Sequence, residues 1–280
     1  MNLLQTSSSF YIDDLKKSIL VGALGPHPKN LTVTGASYIY QTTQFPATTV
    51  KYHNYYLLTR VESYFGACSH TPDQLDMNIA AQLSGLSLDV VLLDERLPVQ
   101  IAAMDAYLGV AFPHQDSCIK VVDIPAGTPI QKAKSRDALI AEMATIKEKQ
   151  KVALIGVVNP LVEAIKQRGA TCLPCDYQLE ETQSGETVER DMEVVLAKAD
   201  SVICTAMTLS NGTFNRILEV ARTRKIPLTV YAQTGSAIIA QFIGKGVTSL
   251  IAEPFPFTQF NASTSQLYCY TCLKGDKDAI

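Results

Sequence analysis

The chain has 280 residues, 47 % of them hydrophobic and 18 % charged, with a formal net charge of −3. That balance supports a sizeable core and excludes the basic, phosphate-neutralising face that a nucleic-acid protein needs. No apolar run approaches the roughly 18 residues of a membrane span, and the N-terminus around Ser7, Ser8 and Ser9 lacks a signal-peptide pattern. The expectation is therefore a cytoplasmic protein with neither nucleic acid nor membrane as partner.

Residues 32–44 and 48–63 are rich in Tyr, Thr and Val and are separated by a Phe45-Pro46-Ala47 break, which predicts antiparallel strands. A polar loop follows at 69–73. Leu97, Ile101, Met104 and Leu108 then fall on one face of a helix, with Pro98 in its first turn. Asp94, Glu95 and Asp105 read as solvated residues at helix starts or on exposed faces. The stretch 112–128, with Pro113, Pro125 and Gly127, reads as a connection, and 135–149 as a linking helix.

From residue 152 the texture changes. Apolar runs at 152–158, 201–205, 227–231 and 249–252 alternate with helical stretches at 160–168, 191–198, 211–223 and 236–244. This is the pattern of βαβ units and a parallel sheet covered on both faces. The acidic stretch 179–189 reads as a surface loop, and 266–273 as a last antiparallel edge strand. The predicted fold is α/β, with an α+β domain over 1–125 and a parallel-sheet domain over 126–280.

Ligands of such sheets sit at the carboxyl ends of the strands. The turns there carry Asn159-Pro160, Thr208-Leu209-Ser210-Asn211-Gly212-Thr213, Gln233-Thr234-Gly235-Ser236 and Glu253-Pro254. Backbone N–H groups with Thr205, Thr208, Asn211 and Thr213 would converge on an anion, Gly212 permitting close approach. Gly235 and Ser236 would line the same crevice, and Gly156 and Asn159 would close the first strand. The plainer reading is an ordinary helix cap at Ser210 or Asn211. Asp176 lies twenty residues beyond Gly156, but the three-glycine fingerprint is missing, so no NAD is expected.

Seven cysteines in a reducing compartment are thiols or metal ligands rather than disulfides. Cys172 with Cys175, and Cys269 with Cys272, could together hold a heavy metal if the segments meet. As alternating strand residues, Cys269 and Cys272 would point to opposite faces; the plain alternative is buried apolar thiols. Cys68 and His70 could place two metal ligands on one loop, and Cys68 with His70 or His114 is a candidate catalytic pair. His27 and His53 complete the histidines, all in the first half.

The phrases Val152-Ala-Leu-Ile-Gly-Val-Val158, Ala199-Asp-Ser-Val-Ile-Cys-Thr205, Thr208-Leu-Ser-Asn-Gly-Thr213, Gly244-Lys-Gly-Val247 and Ala252-Glu-Pro254 resemble the putative heavy-metal chelation family. The resemblance implies a Rossmann-like second half, a first half similar to the N-terminal domain of enolase, and a divalent heavy metal as the implied cofactor. Asn159-Pro160 stands where that family has an aromatic-containing turn, and the Cys-x-x-Cys pairs lie outside its pattern. The functional expectation is an interdomain cleft that binds a small anionic or metal-chelating metabolite, possessing no identified catalytic residue. The rivals are an enzyme of small-molecule or metallophore metabolism and a thiolate/histidine metal carrier. The base-rate expectation for assembly is a homodimer.

Overall fold

A computed structural model describes residues 10–44 and 51–272. Ser7–Ser9, the Phe45-Pro46-Ala47 break and the last residue of the 266–273 stretch lie outside these. In chain order the first elements are α1 (Ile12–Leu20), β1 (Val33–Gln44), β2 (Lys51–Val61) and β3 (Tyr64–His70). Four helices follow: α2 (Ile79–Leu83), α3 (Leu88–Leu92), α4 (Leu97–Ala111) and α5 (His114–Ser117). Next come β4 (Lys120–Ile124), α6 (Pro129–Met143), β5 (Lys151–Ile155), α7 (Asn159–Gln167), β6 (Thr171–Cys175) and α8 (Met192–Lys198). The chain continues through β7 (Ser201–Thr205), α9 (Met207–Ser210), α10 (Phe214–Arg224), β8 (Leu228–Ala232), α11 (Ser236–Ala240), β9 (Ser249–Ala252) and β10 (Ser265–Thr271).

β1, β2 and β3 form an antiparallel sheet, with Tyr40 opposite Tyr55 and Tyr55 opposite His70. β3 runs through Ser69 and His70, so the polar loop expected there begins later. Helix α4 crosses this sheet at backbone contact. A Cβ on Gly66 would stand 2.1 Å from Ala106 N and 2.2 Å from Ala102 O. The predicted apolar face of α4 is only part of what it buries, because residues 101–109 are all buried. It is sandwiched between the small sheet and the second half of the chain.

The second sheet has seven strands in the order β4-β10-β9-β8-β7-β5-β6. β5 through β9 run parallel, and β10 is antiparallel to both neighbours. β10 is thus an interior strand rather than the expected edge. The edge is β4, formed within the stretch read as a connection. At the opposite edge, β6 carries Pro174, whose missing N–H costs no ladder bond on that side. The acidic loop folds back there, with Glu189 N donating to Pro174 O at 2.9 Å.

Strand alternation sorts the core into two layers. Val152, Leu154, Ile203, Ile251 and Leu267 lie under α6 and α7. Ala153, Val202, Cys204, Val230 and Leu250 face the other way, into a core that continues without a break to Leu57, Ala102 and Leu108 of the first half. Several helix boundaries shift from expectation, α6 ending at Met143 rather than 149 and α11 at Ala240 rather than 244. α6 starts at Pro129 because Thr128 and Gln131 form a reciprocal capping box. The helix expected from residue 211 starts at Phe214, preceded by the one-turn α9.

Candidate functional site

The predicted ligand set separates into three places. Asn211, Gly212 and Thr213 form a surface turn in which Asn211 Oδ1 accepts from Thr213 N at 3.1 Å and Thr213 Oγ1 at 2.6 Å. Thr208 is buried, and its hydroxyl donates to Thr205 O at 2.9 Å. Gly235 adopts φ +64° and donates its N–H to Ala67 O of β3 at 2.9 Å. Ser236 is fully buried, with its Oγ 3.0 Å from His114 Nε2.

That hydroxyl belongs to a polar seam between the halves. His114 Nδ1 lies 2.7 Å from Tyr270 OH, and burial holds the imidazole down to about 4, so it is neutral at physiological pH. Asp105 lies in the same seam, and here the expectation of a solvated carboxylate is corrected. Asp105 is 1 % exposed; Oδ2 accepts from Ala67 N at 2.9 Å and Oδ1 from Ala237 N at 2.8 Å. Burial pushes this carboxyl up to about 7, and the N–H groups of Ala67 and Ala237 pull against that shift. Asp94 instead pairs with Arg96 at 2.6 Å.

The sulfur positions are dispersed. Cys172 faces the core under α6 and α7, whereas Cys175, three residues on in the same strand, faces the opposite core. Cys269 is buried with Cys172's layer, and Cys272 follows β10. Cys68 and His70 lie in β3 rather than on a loop. The Cys68 thiol is raised by burial, and His70 Nδ1 donates to Thr71 O at 2.8 Å. Among the described residues, no group of three or more His, Cys, Asp or Glu is placed to hold a metal.

A different constellation gathers at the carboxyl ends of the parallel strands, on the α6/α7 side. Gly156 follows β5 with φ +85°, its backbone so close to Thr205 that a Cβ would stand 2.7 Å from Thr205 Cγ2. Thr205 is the register neighbour of Tyr231 in β8. Tyr231 OH donates to Glu253 Oε2 at 2.5 Å, and Gln233 Nε2 donates to the same oxygen at 2.9 Å. Glu253 Oε1 accepts from Thr258 N. Gln233 Nε2 also reaches Gln259 Oε1 at 2.7 Å, and Gln259 Nε2 donates to Tyr56 OH of β2 at 3.1 Å. One continuous polar chain therefore joins the first half to the strand ends of the second.

Arg136 of α6 covers this chain. Its Cζ stands 4.9 Å from the Tyr231 ring centroid, and its Nε donates to Asp137 Oδ1 at 3.0 Å. Burial alone would pull the guanidinium down; Tyr231, Asp137 and Glu253 outweigh it and hold the group charged. The side chain is 12 % exposed, and among the described residues neither terminal nitrogen has a hydrogen-bond partner. A fixed guanidinium with two free donors suits a carboxylate or phosphate. Close by on the same layer, α7 begins at Asn159 with no side-chain cap. Asn159 Oδ1 itself accepts from Gln183 N at 2.9 Å, and Asp176 Oδ2 accepts from Val157 N at 3.0 Å.

Of this constellation, Gly156, Asn159 and Thr205 were legible in the sequence. Gln233 and Glu253 stood in strand-end turns that the sequence marks as polar. Arg136 and Asp137 carried no such signal, because they lie on a helix preceding the first parallel strand.

Residues 139–229 match the model of the family DUF364, described as putative heavy-metal chelation. Two solved structures of proteins of unknown function from that family share the fold. One, from Desulfitobacterium hafniense, is 17 % identical with a TM-score of 0.57, covering 86 % of this chain and 86 % of its own. The other, from Pyrococcus horikoshii, is 14 % identical with a TM-score of 0.55, covering 92 % of this chain and 98 % of its own. No curated protein matches. The stretch 139–229 thus carries the sequence pattern of the putative heavy-metal chelation family, on a fold that most of the chain shares with two of that family's solved members.

Proposed function

We propose that the chain binds a small anionic or metal-chelating metabolite at the carboxyl ends of β5, β7, β8 and β9, where Tyr56 brings the first half to the strand ends. The observation that carries this reading is Arg136. Its guanidinium is held by the Tyr231 ring and by Asp137, so little freedom remains to be lost on binding, and both Nη groups are left for a ligand. Gly156, Thr205 and the uncapped start of α7 would flank the anion. Thr208, Asn211, Gly212, Thr213, Gly235 and Ser236 would frame the loops around it rather than touch it. A heavy metal would arrive as the chelated partner of such a ligand.

Thermal unfolding in citrate, with and without Ni²⁺, tests the reading. A ligand at about a hundred times its dissociation constant adds about 2.7 kcal/mol, a readily visible upward shift. The shift should vanish in Arg136→Met and survive in Asn211→Leu. A wild-type midpoint indifferent to citrate in both conditions would count against the site.

A further inference from the structure

The charges around Arg136 do not balance. Asp137 and Glu253 set two carboxyl groups against one guanidinium, and all three are largely or fully buried. The charges that act on Asp137 are Arg136 and Glu253, and Lys132, one turn earlier on α6, is held toward other groups. Its Nζ is committed to Asn261 O at 2.6 Å, Ser263 O at 2.5 Å and Ser265 Oγ at 2.8 Å. Glu253 is satisfied by Tyr231, Gln233 and Thr258. Asp137 is not. Its Oδ1 takes the Arg136 Nε, while its Oδ2 is buried with no hydrogen-bond partner.

Such an orphaned acceptor in a 2 % exposed side chain costs about 1–3 kcal/mol, so a partner for it would be strongly favoured. Burial pushes the Asp137 carboxyl up and the Arg136 guanidinium holds it down; for the ionised carboxylate the missing partner is a donor, and a cationic one would also correct the charge. On the neighbouring group the Nη atoms, unlike Oδ2, are not sealed from solvent and offer their N–H groups to an acceptor. Because Arg136 Nε and Asp137 Oδ1 are already bonded, the Nη donors and Oδ2 belong to the two groups of one 3.0 Å ion pair; Oδ2 has no open surface, so a ligand that spans them must displace what covers it. A plain dianion would satisfy the guanidinium and add to the negative excess.

Resting on the binding site proposed above, we infer that its ligand is an aminocarboxylate, with a carboxylate taken by the Arg136 Nη groups and an ammonium taken by Asp137 Oδ2. The same juxtaposition of amine and carboxylate is what chelates a soft or borderline metal through nitrogen and oxygen.

Iminodiacetate and diglycolate separate this idea from the broader one. They are the same length and carry the same two carboxylates, differing only in NH₂⁺ against an ether oxygen. Titration calorimetry on the full chain should give iminodiacetate the tighter binding by about tenfold or more, the range of one charge-assisted hydrogen bond. Asp137→Asn should erase the discrimination, and Arg136→Met should abolish binding of both. Diglycolate binding as well as iminodiacetate would overturn the aminocarboxylate and leave the anion site standing. Binding of neither at millimolar concentration would overturn both. The wild-type comparison decides the matter even if Asp137→Asn does not fold.

Discussion

Asp105 accepts from two elements 38 and 132 residues away in sequence, and His114 bridges Ser236 and Tyr270 beside it. Their protons respond to folding in opposite directions. Asp105 rises from 3.8 to about 7, so the folded chain keeps a proton that the unfolded chain has lost. Its contribution is full below about 4 and is lost as pH rises to 7. His114 falls from 6.5 to about 4, so the unfolded chain is protonated first. Its contribution is full above 6.5 and is lost as pH falls to 4. Each gives a slope of about 1.4 kcal/mol per pH unit, and between these limits the two cancel. Urea denaturation of Asp105→Asn between pH 4.5 and 6.5 should therefore show stability climbing with pH relative to wild type. His114→Gln should show it falling. Parallel profiles in all three proteins would mean that neither group titrates as its burial dictates. Asp105 could be seen in the sequence as the single charge in Ile101–Leu108, but nothing local shows whether such a charge faces water or backbone N–H groups.

At the scale of elements, the closest fit is β3 against α4. Ala in place of Gly66 would drive a methyl into helix backbone, which cannot move aside as a flexible side chain can. The expected cost is at least about 3 kcal/mol by urea denaturation, in the range of severe overpacking. Gly212→Ala is the matched control. Nothing lies within 4 Å of its Cβ, so only the φ of +77° is penalised, at about 1 kcal/mol. Equal losses at the two sites would contradict the strand–helix contact. Elements of this kind were legible wherever period alone decided them, as in α4 and in β5, β7, β8 and β9, whereas β6, with Pro174 inside it, was not among the expected runs. Partners were not legible. The alternation in β10 identifies a strand, yet only β4, drawn from a Pro-containing connection, makes it an interior one.

For the molecule as a whole, the sequence divides cleanly by texture while the packing does not. One apolar core runs from Leu57 and Leu108 through Ile238 to Val230, and the Asp105 seam lies within it. Calorimetry should accordingly give one cooperative transition whose van't Hoff and calorimetric enthalpies agree. Two resolved transitions would show halves that melt separately. The same nonlocality explains what the sequence concealed of the candidate site. Gln259 and Tyr56 are 203 residues apart, and Arg136 meets Tyr231 and Glu253 only because α6 lies across the strand ends. Strand-end turns announce that a parallel sheet has a place for a ligand; they do not say which helix covers it.

The dispersal of the cysteines has a use of its own. Cys68, Cys175 and Cys204 are buried in one core and Cys172 and Cys269 in the layer under α6 and α7, while Cys118 and Cys272 are half-buried. A thiol-specific reagent should reach the last two first and the other five only as the layers around them open. The buried sulfurs are thus clocks set into two walls of the protein, and mass spectrometry of timed alkylation would read which wall gives way first.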